Sequence, residues 1–275
     1  MQKAIMIALT LALLGGALRA DGPAASQTES RVATGKAAVI GEIRRYATDA
    51  KGMATEPLRW NRLRWLHLAE GSAAVAAVYF ADRRLSDRVQ ANRNSFTDDF
   101  ARVVTPFGGR RAEYVSAALI GGGIWTGDAN MRDAGRDSLE AEIVAGGLVT
   151  PLLKRVFGRA RPIQEEGARS FHPFSSNHES FPSGHATNAF ACATAIAGHY
   201  DGWIVPTVVY SIATGVAMSR VNDRAHFPAD VLAGALIGRA IAKSIVGRHR
   251  RGNTTWLIAP SWLNDRPGIT LRILR

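Results

Sequence analysis

The chain has 275 residues, 47% hydrophobic and 21% charged, enough apolar side chain to close a large core and to exclude a disordered polymer. Its 34 Lys and Arg outweigh 23 Asp and Glu, a net charge of +11 that points to anionic partners. The charge is scattered, with no long single-sign run beyond Arg248-His249-Arg250-Arg251, so a generally basic surface is expected and no nucleic-acid partner.

At the start, Lys3 precedes an uncharged apolar stretch from Ala4 to Leu18, with small residues at Ala17 and Ala20. That order matches a secretory signal peptide over 1–20, cut after Ala20 or Ala17. An uncleaved anchor is the alternative, but the stretch is short for a full crossing. Residues 21–35, rich in Ser, Ala, Gly and Thr, read as a linker. Helical periodicity then predicts helices near 36–52, 58–81, 96–105, 111–127, 137–157, 185–200, 203–219 and 228–247, one all-α helical domain over 36–250. Pro57, Pro106-Phe-Gly-Gly and Arg161-Pro162 interrupt the pattern as stops. In the tail, 251–275, apolar alternation around Asn264-Asp-Arg-Pro-Gly allows a short β-hairpin. The single cysteine, Cys192, lies in an apolar run and reads as core, so no intramolecular disulfide can form. Trp60, Trp65 and Tyr79 read as packing, and Asp128, Asp133 and Asp137 as a solvated helix start.

Two windows are apolar enough to test for membrane crossing. Gly202–Ser219 is uncharged, and Ser180–Tyr200 carries only His185 and His199. The composition favours Ala and Gly over Leu and Ile, which weakens insertion. A soluble or membrane-associated periplasmic bundle is therefore expected ahead of a polytopic one. The alternative is an inner-membrane protein with its site facing the periplasm. Nothing in the sequence specifies an oligomer.

Three short blocks carry chemistry. In Lys154-Arg-Val-Phe-Gly-Arg-Ala-Arg161-Pro162, two cations stand seven residues apart, two helical turns, so both can project to the same side. Fixed cations stabilise a phosphoryl group in transfer, and Arg can hold two of its oxygens. Taken alone, such a cluster is also what a solvated helix end looks like. In Phe181-Pro182-Ser183-Gly184-His185, Ser183 is a natural N-cap and Gly184 lets an anion approach the free amides. His185 could donate a proton to a leaving group, or be incidental to an ordinary capped helix. In Ser219-Arg220-Val-Asn-Asp-Arg-Ala-His226-Phe-Pro-Ala-Asp230, Pro228 suits the first helical position. Asp230 could then reach back to one imidazole nitrogen of His226 and free the other to attack. A helix cap or a metal-ligand pair are the other readings of His226 and Asp230, and neither accounts for the cations around them.

Together, Lys154-x6-Arg161-Pro162, Pro182-Ser183-Gly184-His185 and Ser219-Arg220-x5-His226-x3-Asp230 resemble, without a departure, the signature of the type-2 phosphatidic acid phosphatase and vanadium haloperoxidase superfamily. The matched core covers about 154–230. The resemblance implies that family's helical bundle and a hydrolase of phosphomonoesters acting through a phosphohistidine. His226 corresponds to the nucleophile, Asp230 to its orienting partner, and His185 to the acid that becomes the base for water. Lys154, Arg161, Ser183, Gly184 and Arg220 correspond to the phosphate cradle. The resemblance implies no metal and no cofactor, and a substrate among small phosphate esters, phosphatidate, polyprenyl pyrophosphates or lipid A phosphates. Vanadium haloperoxidases share the cradle but are longer as a class, with an extended upstream region. Activity with His185 protonated and His226 neutral predicts a bell-shaped pH profile. The connector Ile163–Ser180, with Phe171, His172, Phe174 and His178, reads equally as a selective lid or a solvated linker.

Overall fold

The computed structural model describes residues 40–41 and 44–250, and the backbone alone of 251–252, 255–263 and 266–274. The expected signal segment and linker, and the start of the first expected helix, lie outside the described residues.

Helix α1 covers 44–55. A 3-10 turn, Glu56–Arg59, follows at Pro57, and then come α2 (Arg62–Ala91) and α3 (Ser95–Val104). The turn Thr105–Gly108 leads to α4 (Arg110–Thr126), α5 (Ala129–Glu142), a π turn (Ile143–Val149) and α6 (Thr150–Phe157). After a long loop come α7 (Gly184–Ala197), α8 (Ile204–Asn222) and α9 (Pro228–Gly252). Strands β1 (Thr255–Leu263) and β2 (Arg266–Leu274) pair antiparallel. Side-chain caps set several of these starts: Asn61, Asn94, Asp128 and Ser183 each accept the amide three residues on. Asp128 explains why α5 begins eight residues before the expected 137, since its cap starts the helix at Ala129.

Helix α7 is the centre of the bundle, packed by α5, α8 and α9. Its buried face is small: Ala186, Ala191 and Ala195 are fully enclosed, and Cys192 is buried as expected. Small residues let α9 come close. A Cβ on Gly234 would stand 2.5 Å from the Ser183 carbonyl oxygen, and one on Gly238 would overlap that of Thr187. At 14 residues α7 is too short to span a bilayer, so the window Ser180–Tyr200 fails that test. Among the described residues, α8 is the helix long and apolar enough to cross one, with a mean hydropathy of 1.4.

Two expectations are corrected. Helix α2 was expected to end at 81, where the sequence turns polar, but it runs on to Ala91 because Asp82 is buried against distant partners. Asp137 is not solvated either. It is buried, taking hydrogen bonds from His199 (2.8 Å), His249 (2.7 Å) and Arg45 (2.8 Å). Burial pushes its carboxyl up, but His199 and His249 more than reverse that and hold it down to about 2. This network ties α1 to α5 and α9. Asp128 stays exposed as a cap, and Asp133 pairs with Arg132.

Candidate active site

Helix α6 stops at Phe157 because Gly158 adopts the left-handed conformation, φ 56° and ψ 42°. Arg161 follows in extended backbone. The two-turn helical relation expected between Lys154 and Arg161 is therefore absent, and a bend aims both cations instead. Lys154, Arg161 and Arg220 together impose positive charge on both His185 and His226. Lys154 donates from Nζ to the Glu179 carbonyl at 2.8 Å. Arg220, at the end of α8, is held by Asp223 at 2.8 Å and by Thr105 Oγ1 at 3.3 Å.

His226 lies in the turn between α8 and α9 and is 3% exposed. Its Nδ1 donates to the carbonyl of Ser180 at 2.7 Å. A carbonyl can only accept, so the proton sits on Nδ1 and Nε2 keeps its lone pair. This corrects the expected role of Asp230. Its carboxylate accepts from Arg159 (2.6 Å), Ser180 Oγ (2.6 Å) and the amide of Phe227 (2.8 Å). Asp230 thus orients His226 indirectly, through both neighbours of the imidazole: Ser180 on one side, the 226–227 backbone on the other.

Sequence reasoning missed Arg159, Asp82 and Ser180. Arg159 is fully buried between Asp230 and Asp82, both at 2.6 Å, under the rings of Tyr79, Phe171 and Phe227. Asp82 reaches from α2 to cap the start of α9 at the Ala229 amide, 2.8 Å away. Tyr79 and Phe171, read as packing and as lid, both serve this ion triad. Nothing in the local pattern separates Arg159 from Arg155 or Arg161; only burial does.

Ser183 caps α7 as expected, with Ala186 N at 3.5 Å from its Oγ. Its own amide donates to the Asp230 carbonyl at 2.9 Å. The amides of Gly184 and His185 open the helix and have no intrahelical acceptor by its geometry, which leaves them suited to an anion.

The loop after α6 is pinned to α6 and to the bend. His172 N donates to Gly158 O (2.7 Å), Phe174 N to Arg155 O (2.6 Å) and Ser180 N to Arg159 O (2.9 Å). A Cβ on Gly158 would overlap the His172 carbonyl. Gly158→Ala adds that clash to a left-handed backbone. It should destabilise by at least about 2 kcal/mol, read as a lowered melting temperature, with activity falling as Arg161 is displaced.

Burial first, then Arg220, Lys154 and Arg161, hold His185 down to about 4, and burial with the same cations holds His226 well below its usual 6.5. Burial and these cations thus favour the neutral form of both imidazoles. A bound phosphate reverses the local sign and should raise His185 back toward its usual 6.5, favouring the protonated form expected for activity. Since both folded values lie below the unfolded one, the unfolded chain binds more protons. Stability should fall as pH drops from about 6.5 toward 4, and phosphate should restore more melting temperature at pH 5 than at pH 8. Thermal melts at the two pH values, with and without phosphate, check this.

Residues 139–252 match the family described as PAP2 superfamily. The chain is 44% identical over 100 residues to a lipid A 1-phosphatase of Rhizobium johnstonii, covering 35% of this chain and 40% of that one. It is 32% identical over 106 residues to the decaprenylphosphoryl-5-phosphoribose phosphatase of Mycobacterium tuberculosis, covering 38% and 56%. The match thus spans about two fifths to just over half of these curated relatives. A transmembrane PAP2-type phosphatidylglycerolphosphate phosphatase from Bacillus subtilis superposes with a TM-score of 0.52 at 24% identity, over 68% of this chain and 94% of that one. That likeness is one of fold: the all-α bundle expected from the sequence is shared with that helical phosphatase.

Proposed function

We propose that the chain, whose residues 139–252 match the PAP2 superfamily, is a phosphatase of lipid phosphates that works through a phosphohistidine. The observation that carries this reading is the buried His226, with its Nδ1 proton committed to Ser180, its Nε2 lone pair left available and three cations acting on the ring. Nε2 attacks phosphorus in line, and the P–O bond to the leaving group breaks. Lys154, Arg161, Arg220 and the amides of Gly184 and His185 take the charge of the equatorial oxygens. His185, protonated once the anion is in place, gives its proton to the departing alkoxide. It then takes one from water, whose oxygen attacks phosphorus and breaks the P–N bond. Inorganic phosphate leaves and His226 is regenerated.

No metal enters this scheme. The carboxylate nearest His226, Asp230, is already committed to Arg159, Ser180 and Phe227, and three fixed cations oppose a dication. Chelation should therefore not abolish phosphate release.

A lipid substrate is supported by the molecule's outer surface. Trp125, Phe96, Trp203 and Met218 are 89%, 76%, 75% and 65% exposed, a degree of apolar exposure that suits contact with a bilayer. Similarity to a lipid A 1-phosphatase and to a decaprenylphosphoryl-5-phosphoribose phosphatase supports a lipid-linked phosphate, with lipid A 1-phosphate the first substrate to test. With the signal-like N-terminus, the reading is of an exported protein at the periplasmic side of the inner membrane. Cell fractions assayed with lipid A and with p-nitrophenyl phosphate test it. Activity in the membrane fraction, with lipid A strongly preferred, is expected. Activity confined to the soluble fraction and to the small ester would overturn the lipid reading. Vanadate should inhibit; appreciable bromination with vanadate, bromide and peroxide would instead mark a haloperoxidase.

A further inference from the structure

The loop between the first two blocks holds a second constellation that the phosphatase reading does not use. Glu166 lies between two imidazoles: His172 Nε2 is 2.8 Å from its Oε2 and His178 Nε2 is 3.0 Å from its Oε1. The two rings stack with centroids 4.0 Å apart. One nitrogen from each ring and one carboxylate oxygen all fall within 4.8 Å of one another. Two hydroxyls join the cluster, one on the outer nitrogen of His178 and one on the inner atoms of Glu166 and His172. Ser175 Oγ stands 2.8 Å from His178 Nδ1, and Ser170 Oγ is 2.8 Å from Glu166 Oε2 and 2.9 Å from His172 Nε2.

We propose that Glu166, His172 and His178 form a site for one divalent transition metal of the Zn2+ kind. Two imidazole nitrogens and one carboxylate are a three-ligand zinc set, with the fourth position open to water at an exposed edge. Zinc bonds of about 2.0–2.2 Å at tetrahedral angles space the donors about 3.3 Å apart. The observed 2.8 and 3.0 Å run to different oxygens of Glu166, and one oxygen with the two ring nitrogens lies within 4.8 Å, so the donors must shift to reach that spacing, which Glu166, with a side chain 37% exposed, can accommodate. Ser175 on His178 Nδ1 is the outer contact that fixes which nitrogen a ligating imidazole presents. The recorded ion pairs of Glu166 are to these two imidazoles; Arg224 pairs with Glu165 instead. Among the described residues a second grouping of this type, Asp49, Glu140 and His249, is invaded by Arg45 at 3.2 Å from Glu140 and by Arg248 at 3.4 Å from Asp49, and suits a cation poorly.

The metal's task would be mechanical and separate from the chemistry at His226. It would clip residue 166 to residues 172 and 178, bracing the loop that ends on Glu179, the carbonyl partner of Lys154, and Ser180, the carbonyl partner of His226. The inference does not depend on the phosphatase reading.

The test uses untagged full-length protein, stripped with a chelator and titrated with Co2+ alone and then with Zn2+. One equivalent of Co2+ with the visible absorption of a tetrahedral site, displaced by Zn2+, is expected. Glu166→Gln and His172→Ala, both on exposed side chains, should lose it, while Asp49→Asn should keep it. Circular dichroism of each variant without metal reports that the fold is intact. A wild-type protein that takes up no stoichiometric Co2+, binding that survives Glu166→Gln with His172→Ala, or loss in Asp49→Asn alone would each overturn the assignment.

Discussion

His226→Ala is expected to lower kcat for phosphate release by about four to six orders of magnitude, because it removes the atom proposed to bond to phosphorus. The helical signal and melting temperature should change little, since the imidazole's one recorded hydrogen bond is to the Ser180 carbonyl. Substrate binding should also persist, because Lys154, Arg161 and Arg220 remain. Steady-state assays with p-nitrophenyl phosphate, alongside vanadate binding, separate the two effects. An unchanged kcat would exclude the phosphohistidine route. His226→Gln is a useful companion: its amide can still donate to Ser180 but cannot attack phosphorus productively, so it should be as inactive as alanine.

The second large effect is expected at Arg159. Its guanidinium is wholly buried and answers two carboxylates that are themselves fully buried. Arg159→Met keeps much of the volume under Tyr79, Phe171 and Phe227 but leaves Asp82 and Asp230 without their cation. Removing one partner from a buried ion set costs about 3–5 kcal/mol. For a domain of this size that is a melting temperature about 10 °C lower or more. Burial already pushes both carboxyls up, opposed chiefly by the Ala229 amide at Asp82 and by Arg159 at Asp230. Without Arg159 both should protonate, and Asp230 should then hold Ser180 and Phe227 less firmly. Activity should fall with stability. The triple variant Asp82→Asn, Arg159→Met, Asp230→Asn removes all three charges and should recover much of the melting temperature but not the activity. Recovery of neither would mean that the triad's role is packing alone.

The candidate site was legible to the extent that its chemistry lies in short, local, contiguous strings. Ser183 as an N-cap, Pro228 at a helix start and the order Lys154, Arg161, His185, Arg220, His226 need no knowledge of distant partners. Asp230 shows where this ends. Its spacing to His226 was read correctly, but which atom it meets was not, because Arg159 and Ser180, at 71 and 50 residues' remove, reach it first. Lys154 and Arg161 show the same limit over a shorter distance: one left-handed glycine replaced a helical relation with a bend.

The elements themselves divide the same way. Helical periodicity, prolines and caps place most helices in the sequence, because those signals act within a few residues. The extension of α2 past 81 and the burial of Asp82 and Asp137 went against polar sequence. A charge can be enclosed only when partners from other helices arrive together, and no local pattern records that. The pairing of Glu166 with His172 and His178 belongs to the same class, since three scattered polar residues become a constellation only through the pinned loop. By itself the sequence determined the helical architecture, the basic character and the residues proposed to react. Tertiary structure decided which buried charge answers which, because desolvation makes an unpaired ion costly and only the assembled bundle supplies the pair.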